Sequence, residues 1–234
     1  MKERGILFSD AMVRAILEGR KNQTRRVIKP QPIPTVIPDE RTPWWAVKGQ
    51  GREFTVKCPY GVPGDRLIVR ETWRRWDNGG RQIAYRADLR CYEACTNESD
   101  IWSVFDDGFS LTKDPGGWNP SSHMPRWASR ITLEITDVRV QRLQEISEED
   151  AWAEGIAKTG FTPEEFARNQ AGDRNVLIAS FQEDDFSHNF PSAKEAFARL
   201  WDSINGKTHP WSANDWVWAI TFAVTERSAG RGKL

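Results

Sequence analysis

The segment Arg20-Lys21-Asn22-Gln23-Thr24-Arg25-Arg26 brings a primary amine, a hydroxyl and three guanidinium groups together in one short stretch. An amine crowded by cations and partly withdrawn from water holds its proton less tightly and can then act as a base. The Thr24 hydroxyl is a poor nucleophile until such a base lies within hydrogen-bond reach, and it can equally position a water molecule. Arg20, Arg25 and Arg26 suit an oxyanion or a phosphate. Each residue also has an ordinary structural reading. Lys21 can be solvated or phosphate-binding, Thr24 can simply start a strand, and Arg25 and Arg26 can pair with Glu145, Glu148 or Glu149. Further along, Glu71-Thr72-Trp73 can line a cavity with an aromatic wall, although Trp73 equally suits a core. His123 lies in a loop, Ser121 to Trp127, able to cover a pocket, while His188 and His209 read as surface residues.

The elements that must position these groups are partly visible in the pattern. Gly5 to Phe8 reads as a short strand. Ser9 is placed to cap a helix through Glu18, on which Met12, Val13, Ile16 and Leu17 form an apolar stripe, and Gly19 sits where a C′ glycine ends it. The basic segment then reads as a loop, with a second strand beginning at Val27-Ile28. Pro63-Gly64-Asp65 turns into a strand at Arg66 to Glu71. Arg130 to Leu143 is the clearest strand: Ile131, Leu133 and Ile135 alternate with polar residues, then Val138 and Val140 continue on a shifted face, as at a bulge. Ser147 and Ser192 are N-cap positions of two further helices, the first closed by Gly155. Asp215 to Thr225 is a final strand, on which Trp216, Trp218, Ile220, Phe222 and Val224 share a face if alternation holds.

This order, β-α-β…β…β-α…α-β, suits an α+β protein: a small mixed β-barrel flanked by short helices. It lacks the repeated βαβ crossovers of a doubly wound sheet. Three stretches read as insertions, at about 30–57, 74–128 and 157–191, the last two being the long ones. The second holds one expected strand at Gln82 to Tyr85. One domain is expected over 1–227, with a flexible basic tail at 228–234.

Of the 234 residues, 38% are hydrophobic and 28% charged, values ordinary for a soluble chain with a core. No run approaches the roughly 18 apolar residues of a membrane span, and the first residues show no signal-peptide core, so a cytoplasmic protein is expected. Basic and acidic residues balance at 33 each, so global attraction to nucleic acid is not implied, although a basic patch can still bind phosphate locally. The charges are unevenly spread: residues 1–30 are basic in excess, and Glu145 to Gly155 carries only acids. Cys58, Cys91 and Cys95 are too few for a disulfide framework. Cys91-x3-Cys95 has no second ligand pair, so no metal site is expected. The 12 tryptophans suit either core packing or base stacking.

Ile16-Leu17-Glu18-Gly19-Arg20-Lys21-Asn22-Gln23-Thr24-Arg25-Arg26 resembles the helix-to-loop signature of the ASCH superfamily, a branch of the PUA-like barrels. Gly64-Asp65-Arg66-Leu67 is similar to that family's turn into a strand, and Leu143 to Gly155 to its strand-to-helix segment. Cys58-Pro59-Tyr60-Gly61 and Trp118 to Trp127 resemble the longer form found in phage and prophage proteins. The resemblance implies a PUA-like barrel that handles nucleosides or single-stranded nucleic acid, with RNA the favoured polymer. Small bacterial members are amidohydrolases that remove the acetyl group of N4-acetylcytidine using a lysine, a threonine and a glutamate. Lys21, Thr24 and Glu154 fall on those positions. Arg20, Arg25, Arg26, Glu71, Trp73 and His123 are the expected substrate or nucleic-acid contacts, with no cofactor. A non-catalytic RNA-binding module, a ribonuclease, and a phage accessory protein acting through a protein partner are the competing expectations.

Overall fold

The computed structural model describes residues 1–31, 44–49, 52–77, 81–88, 118–158, 179–183, 186–190 and 192–227. The proline-rich excursion past residue 31, Cys91, Cys95 and the tail at 228–234 lie outside them. Among the described residues twelve strands and three α-helices make an α+β arrangement. In chain order they are β1 (Glu3–Leu7), α1 (Asp10–Leu17), β2 (Gln23–Val27), β3 (Trp44–Gly49), β4 (Arg52–Lys57) and β5 (Arg66–Arg70). There follow β6 (Trp73–Asp77), β7 (Arg81–Tyr85), β8 (Ile131–Arg142), α2 (Glu148–Ala153), β9 (Ala157–Lys158) and β10 (Ala179–Glu183). The last are β11 (Phe186–Phe190), α3 (Ala193–Asn205) and β12 (Trp216–Arg227).

The central sheet runs β1-β5-β8-β12-β2, with β1 parallel to β5 and every other pair antiparallel. Its spine is the pair of 12-residue strands β8 and β12. Their register shifts where Thr221 faces Asp137 and Phe222 faces Ile135, leaving Thr136 as the extra residue. That bulge is why Ile131, Leu133 and Ile135 reach the core on one alternation and Val138 and Val140 on the next. Trp218, Ile220 and Phe222 of β12 enter the same core, with Trp216 and Val224 packed against it.

The basic segment is not a loop throughout. Gln23–Val27 forms edge strand β2, with Thr24 opposite Ile220 and Arg26 opposite Trp218. The polar, charged sequence hides a strand because the long β12 templates it, and Asn22 accepts from the Phe222 N–H at 2.8 Å to start the ladder.

Edges β1 and β2 are joined by α1, whose buried Val13, Ala15 and Ile16 press into the sheet. Ser9 occupies the cap position with extended backbone, but its side chain makes no cap bond. Asp10 in the first turn complements the helix dipole. Gly19 ends the helix at φ +77°, the left-handed conformation that favours glycine.

A second core gathers Leu143, Ile146, Phe197, Leu200 and Trp201 between α2, α3 and the sheet. The Ser147 and Ser192 side chains accept from Asp150 and Glu195 N–H groups, as N-caps do. The stretches read as insertions carry their own small sheets: β3 with β4, β6 with β7, and β11-β10-β9. The strand expected at Gln82 to Tyr85 therefore has a partner that sequence reading missed, because Trp73–Asp77 is charged and carries no alternation.

Candidate functional site

Lys21 leaves α1 through Gly19 and lies beside the end of α2, bridged to Glu154 in an isolated antiparallel pair. Asn22 donates to Ala153 O at 3.0 Å, which fixes this crossing. Lys21 Nζ then donates to both Glu154 O and Glu154 Oε2 at 2.7 Å. Both residues are 3% exposed. Burial lowers the Lys21 pKa below the ordinary lysine value; Glu154 opposes this, and Arg26 and Arg25 add smaller downward contributions. The crowding of cations foreseen from the sequence is thus secondary to burial, and Arg20 plays no part in it. Arg20 turns outward to Glu18 and to Gly155 O, so the structure does not bring it to the site.

Arg25 is the anchor of the arrangement and not a free phosphate ligand. Its Nη1 donates to Glu154 Oε1 at 3.0 Å and Gln23 Oε1 at 2.6 Å, and its Nη2 to Asp150 Oδ2 at 2.7 Å. With the Gln141 amide turned oxygen-inward, that oxygen accepts from Arg25 Nη2 at 2.8 Å and Nε at 3.2 Å. A guanidinium so committed has no donor left for a ligand. Gln23 and Arg139 complete the shell around Asp150. The carboxylates that Arg25 meets are thus Asp150 and Glu154, four apart on one side of α2. Glu145 and Glu148 bond to backbone N–H groups elsewhere.

Lys21, Thr24 and Glu154 line one cleft of about 770 Å³ together with Arg26 and Tyr60. Thr24 is 4% exposed, and its hydroxyl has no hydrogen-bond partner among the described residues. Arg26 stands over the rings of Phe8 at 5.2 Å and Tyr60 at 6.0 Å, and its Nη2 donates to Leu7 O at 2.6 Å. Its Nε is buried without a partner, and burial lowers its pKa. Among the described residues no carboxylate forms an ion pair with Arg26, although Glu154 acts on it at longer range, so its guanidinium keeps donors free on the cleft wall.

Glu71, Trp73 and His123 do not reach this cleft. Glu71 is 0% exposed and held by Arg130 through two bonds, at 2.9 and 3.0 Å. Arg130 also grips Asp88 at 2.7 and 2.8 Å and stacks over Tyr85 at 4.0 Å. Tyr85 donates to Ala128 O, and burial pushes its pKa up to about 12. Trp73 packs with Tyr85 and Met124 in a third apolar cluster, edge-on to Trp127. His123 is exposed on a 3-10 turn. Glu71, Arg130, Tyr85, Trp73 and Met124 thus fasten the β6–β7 hairpin and the 118–130 segment to the sheet, and His123 faces solvent. From these stretches the cleft is lined instead by Thr72, between Glu71 and Trp73, and by Ser121, two residues before His123.

Among the described residues no cluster of His, Cys, Asp or Glu is placed to hold a metal ion, and none of their helices is long and apolar enough to cross a membrane. Cys58 is a buried free thiol whose pKa burial raises. Sequence reading missed Gln23, Asp150 and Arg139, which orient the site without touching the cleft's reacting end. The four-residue spacing of Asp150 and Glu154, and the two-residue spacing of Gln23 and Arg25, were the available signals. No family model matches the chain, and no similar curated protein or solved structure was found.

Proposed function

We propose that the cleft is an amidohydrolase site for an N-acylated pyrimidine nucleoside of the N4-acetylcytidine type. One observation carries this reading: a buried Lys21–Glu154 pair lines the same cleft as a Thr24 hydroxyl that makes no hydrogen bond to the described residues. A neutral lysine amine has two N–H groups and one lone pair. Here the two N–H groups are engaged by Glu154 O and Oε2, which leaves the lone pair available to take a proton. Burial favours that neutral form.

In the proposed reaction Lys21 takes the Thr24 proton as Oγ bonds to the acyl carbon. The carbonyl electrons move to oxygen, where Arg26 offers positive charge. Collapse breaks the C–N bond, and Lys21 returns its proton to the departing nitrogen. Water then hydrolyses the threonine ester by the same proton shuttle. Arg25 holds Glu154, and Glu154 holds Lys21, following the logic of a nucleophile, a base and an orienting acid.

The motif resemblance to ASCH proteins supports the same reading, and with it the proposal that the five-stranded sheet is the core of a PUA-like barrel. In that fold reading β1 and β2 approach across α1, and the Arg26 bond to Leu7 O spans the gap between the sheet's two edges. The test is incubation of purified protein with N4-acetylcytidine, followed by chromatography for cytidine and acetate. Absence of turnover across a panel of N4-acylcytidines would sink the reading.

A second reading, single-stranded RNA binding without turnover, draws on exposed Lys29 and Lys57, which line the cleft with Tyr60. Its affinity would fall with added salt as phosphate contacts release counterions.

A further inference from the structure

The cleft has a second polar end. His209 lines it, and the imidazole Nδ1 lies 2.7 Å from Asp215 Oδ2. Held this way, Nδ1 carries the proton donated to the carboxylate, and Nε2 is the free ring atom. Nε2 has no hydrogen-bond partner among the described residues and is not among the sealed, unsatisfied atoms. Asn205 and Thr208 line the cleft beside His209, and their side chains make no hydrogen bond to the described residues. Their backbone groups are used: Asn205 O accepts from Thr208 at 3.0 Å and from His209 at 2.9 Å, which sets the three on one turn after α3. The ring position is fixed from behind as well, since Trp201 Nε1 donates to His209 O at 2.7 Å.

The ladder places this end relative to the reacting one. Thr24 faces Ile220 and Val27 faces Val217, and Asp215 immediately precedes β12. Five residues from Ile220 back to Asp215 correspond to roughly 16 Å of strand, at about 3.3 Å per residue. That backbone separation, shared between the side chains at its two ends and a ligand, accommodates a pyrimidine nucleoside reaching from its exocyclic amide to its ribose hydroxyls. Between the two ends Trp201, Ile204 and Val27 give an apolar wall for the base. Uncharged hydrogen-bonding groups, and an imidazole with a carboxylate behind it, suit hydroxyls better than phosphate, which Asp215 would repel.

We propose that His209, positioned by Asp215, is the sugar-binding residue of this cleft, taking a ribose hydroxyl with Nε2 while Asn205 and Thr208 complete the subsite. The proposal rests on the nucleoside reading given above and adds that the ligand carries its ribose.

The test uses His209→Asn, because the asparagine amide can still donate to Asp215 from the Nδ1 position but lacks Nε2. Thr208→Val, at an exposed position, serves as a second variant. Cytidine and cytosine are titrated into wild-type and variant protein by calorimetry, and turnover of N4-acetylcytidine and N4-acetylcytosine is followed in parallel. Wild type should prefer the ribosylated ligand. His209→Asn should weaken cytidine binding and raise the KM for N4-acetylcytidine by about tenfold, the loss of one good hydrogen bond. Its kcat should stay within about twofold, as expected for uniform binding, and its cytosine affinity should not move. Equal handling of ribosylated and free-base ligands by wild type overturns the proposal, and so does unchanged cytidine affinity in His209→Asn. Wild-type binding of cytidine without turnover overturns the hydrolase reading alone. Failure to bind either ligand overturns both.

Discussion

Lys21 Nζ donates to the carboxylate and to the backbone oxygen of Glu154, a residue 133 positions away, at 2.7 Å in each case. Two partners on one residue make a tighter constraint than an ion pair alone. The ammonium or amine cannot swing away without breaking both bonds, and Glu154 cannot follow it because Arg25 holds its other oxygen. The site is a clamp in which the base sits at the tip.

Replacing Lys21 by methionine tests the base directly. The buried chain keeps its volume, and Glu154 keeps Arg25 as its partner, so stability should change by no more than about 1–2 kcal/mol. Turnover of N4-acetylcytidine should fall by about a thousandfold or more. Glu154→Ala should behave differently, since it strands Lys21 and loosens Arg25; a loss of about 3–5 kcal/mol in urea unfolding is expected. Equal stability of the two variants would contradict the clamp.

Thr24→Val removes a hydroxyl that bonds to nothing among the described residues. Valine suits an edge strand, so the thermal midpoint should stay the same or rise slightly. Activity should drop as far as in Lys21→Met. A variant that retains turnover would leave Thr24 as a strand residue only.

The pH dependence follows from burial of Lys21. Its folded pKa is depressed, so kcat/KM should rise with pH and level off at an inflection below the ordinary lysine value of about 10.4. For stability the sign is the same. The contribution of this group is fully present above the ordinary lysine pKa and is lost as pH falls through the depressed folded value. Urea unfolding of wild type and Lys21→Met at a series of pH values measures the difference, and a wild type that loses stability relative to Lys21→Met on raising the pH would contradict the burial argument.

Gly155 closes α2 at φ +99°, where a Cβ would come within 3.0 Å of Ala15 Cβ and 3.1 Å of Lys21 Cβ. Gly155→Ala should cost about 1–3 kcal/mol through the strained backbone, and it should lower kcat by displacing Lys21. The crystal structure of the variant would show whether the Lys21–Glu154 distance lengthens.

The Glu71–Arg130 pair lies outside the cleft and should affect folding, not chemistry. Arg130→Met leaves Glu71 buried and unpaired, at an expected cost of about 3–5 kcal/mol. Turnover per folded molecule should persist. Selective loss of activity in fully folded protein would return Glu71 to the substrate site.

Much of this protein was legible from short-range pattern. The bulge in β8 was written in the shift from Ile135 to Val138, and the ends of α1 and α2 in Gly19 and Gly155. Such features depend on local sterics and alternation, which neighbouring residues encode. The motif resemblance singled out Lys21, Thr24 and Glu154, but spacing alone carried no information about their distance. Which cations were free was settled by long-range contacts. Arg20, Arg25 and Arg26 look alike in sequence, yet one faces Glu18, one is spent on Asp150 and Glu154, and one makes no ion pair among the described residues. Glu71, Trp73 and His123 likewise looked available until Arg130, Tyr85 and Met124 were seen to claim the first two and solvent the third. Sequence by itself determined the local elements and the chemical types at hand. Tertiary structure decided which of them share a cleft, because the desolvation and ion pairing that set their chemistry come from residues more than a hundred positions apart.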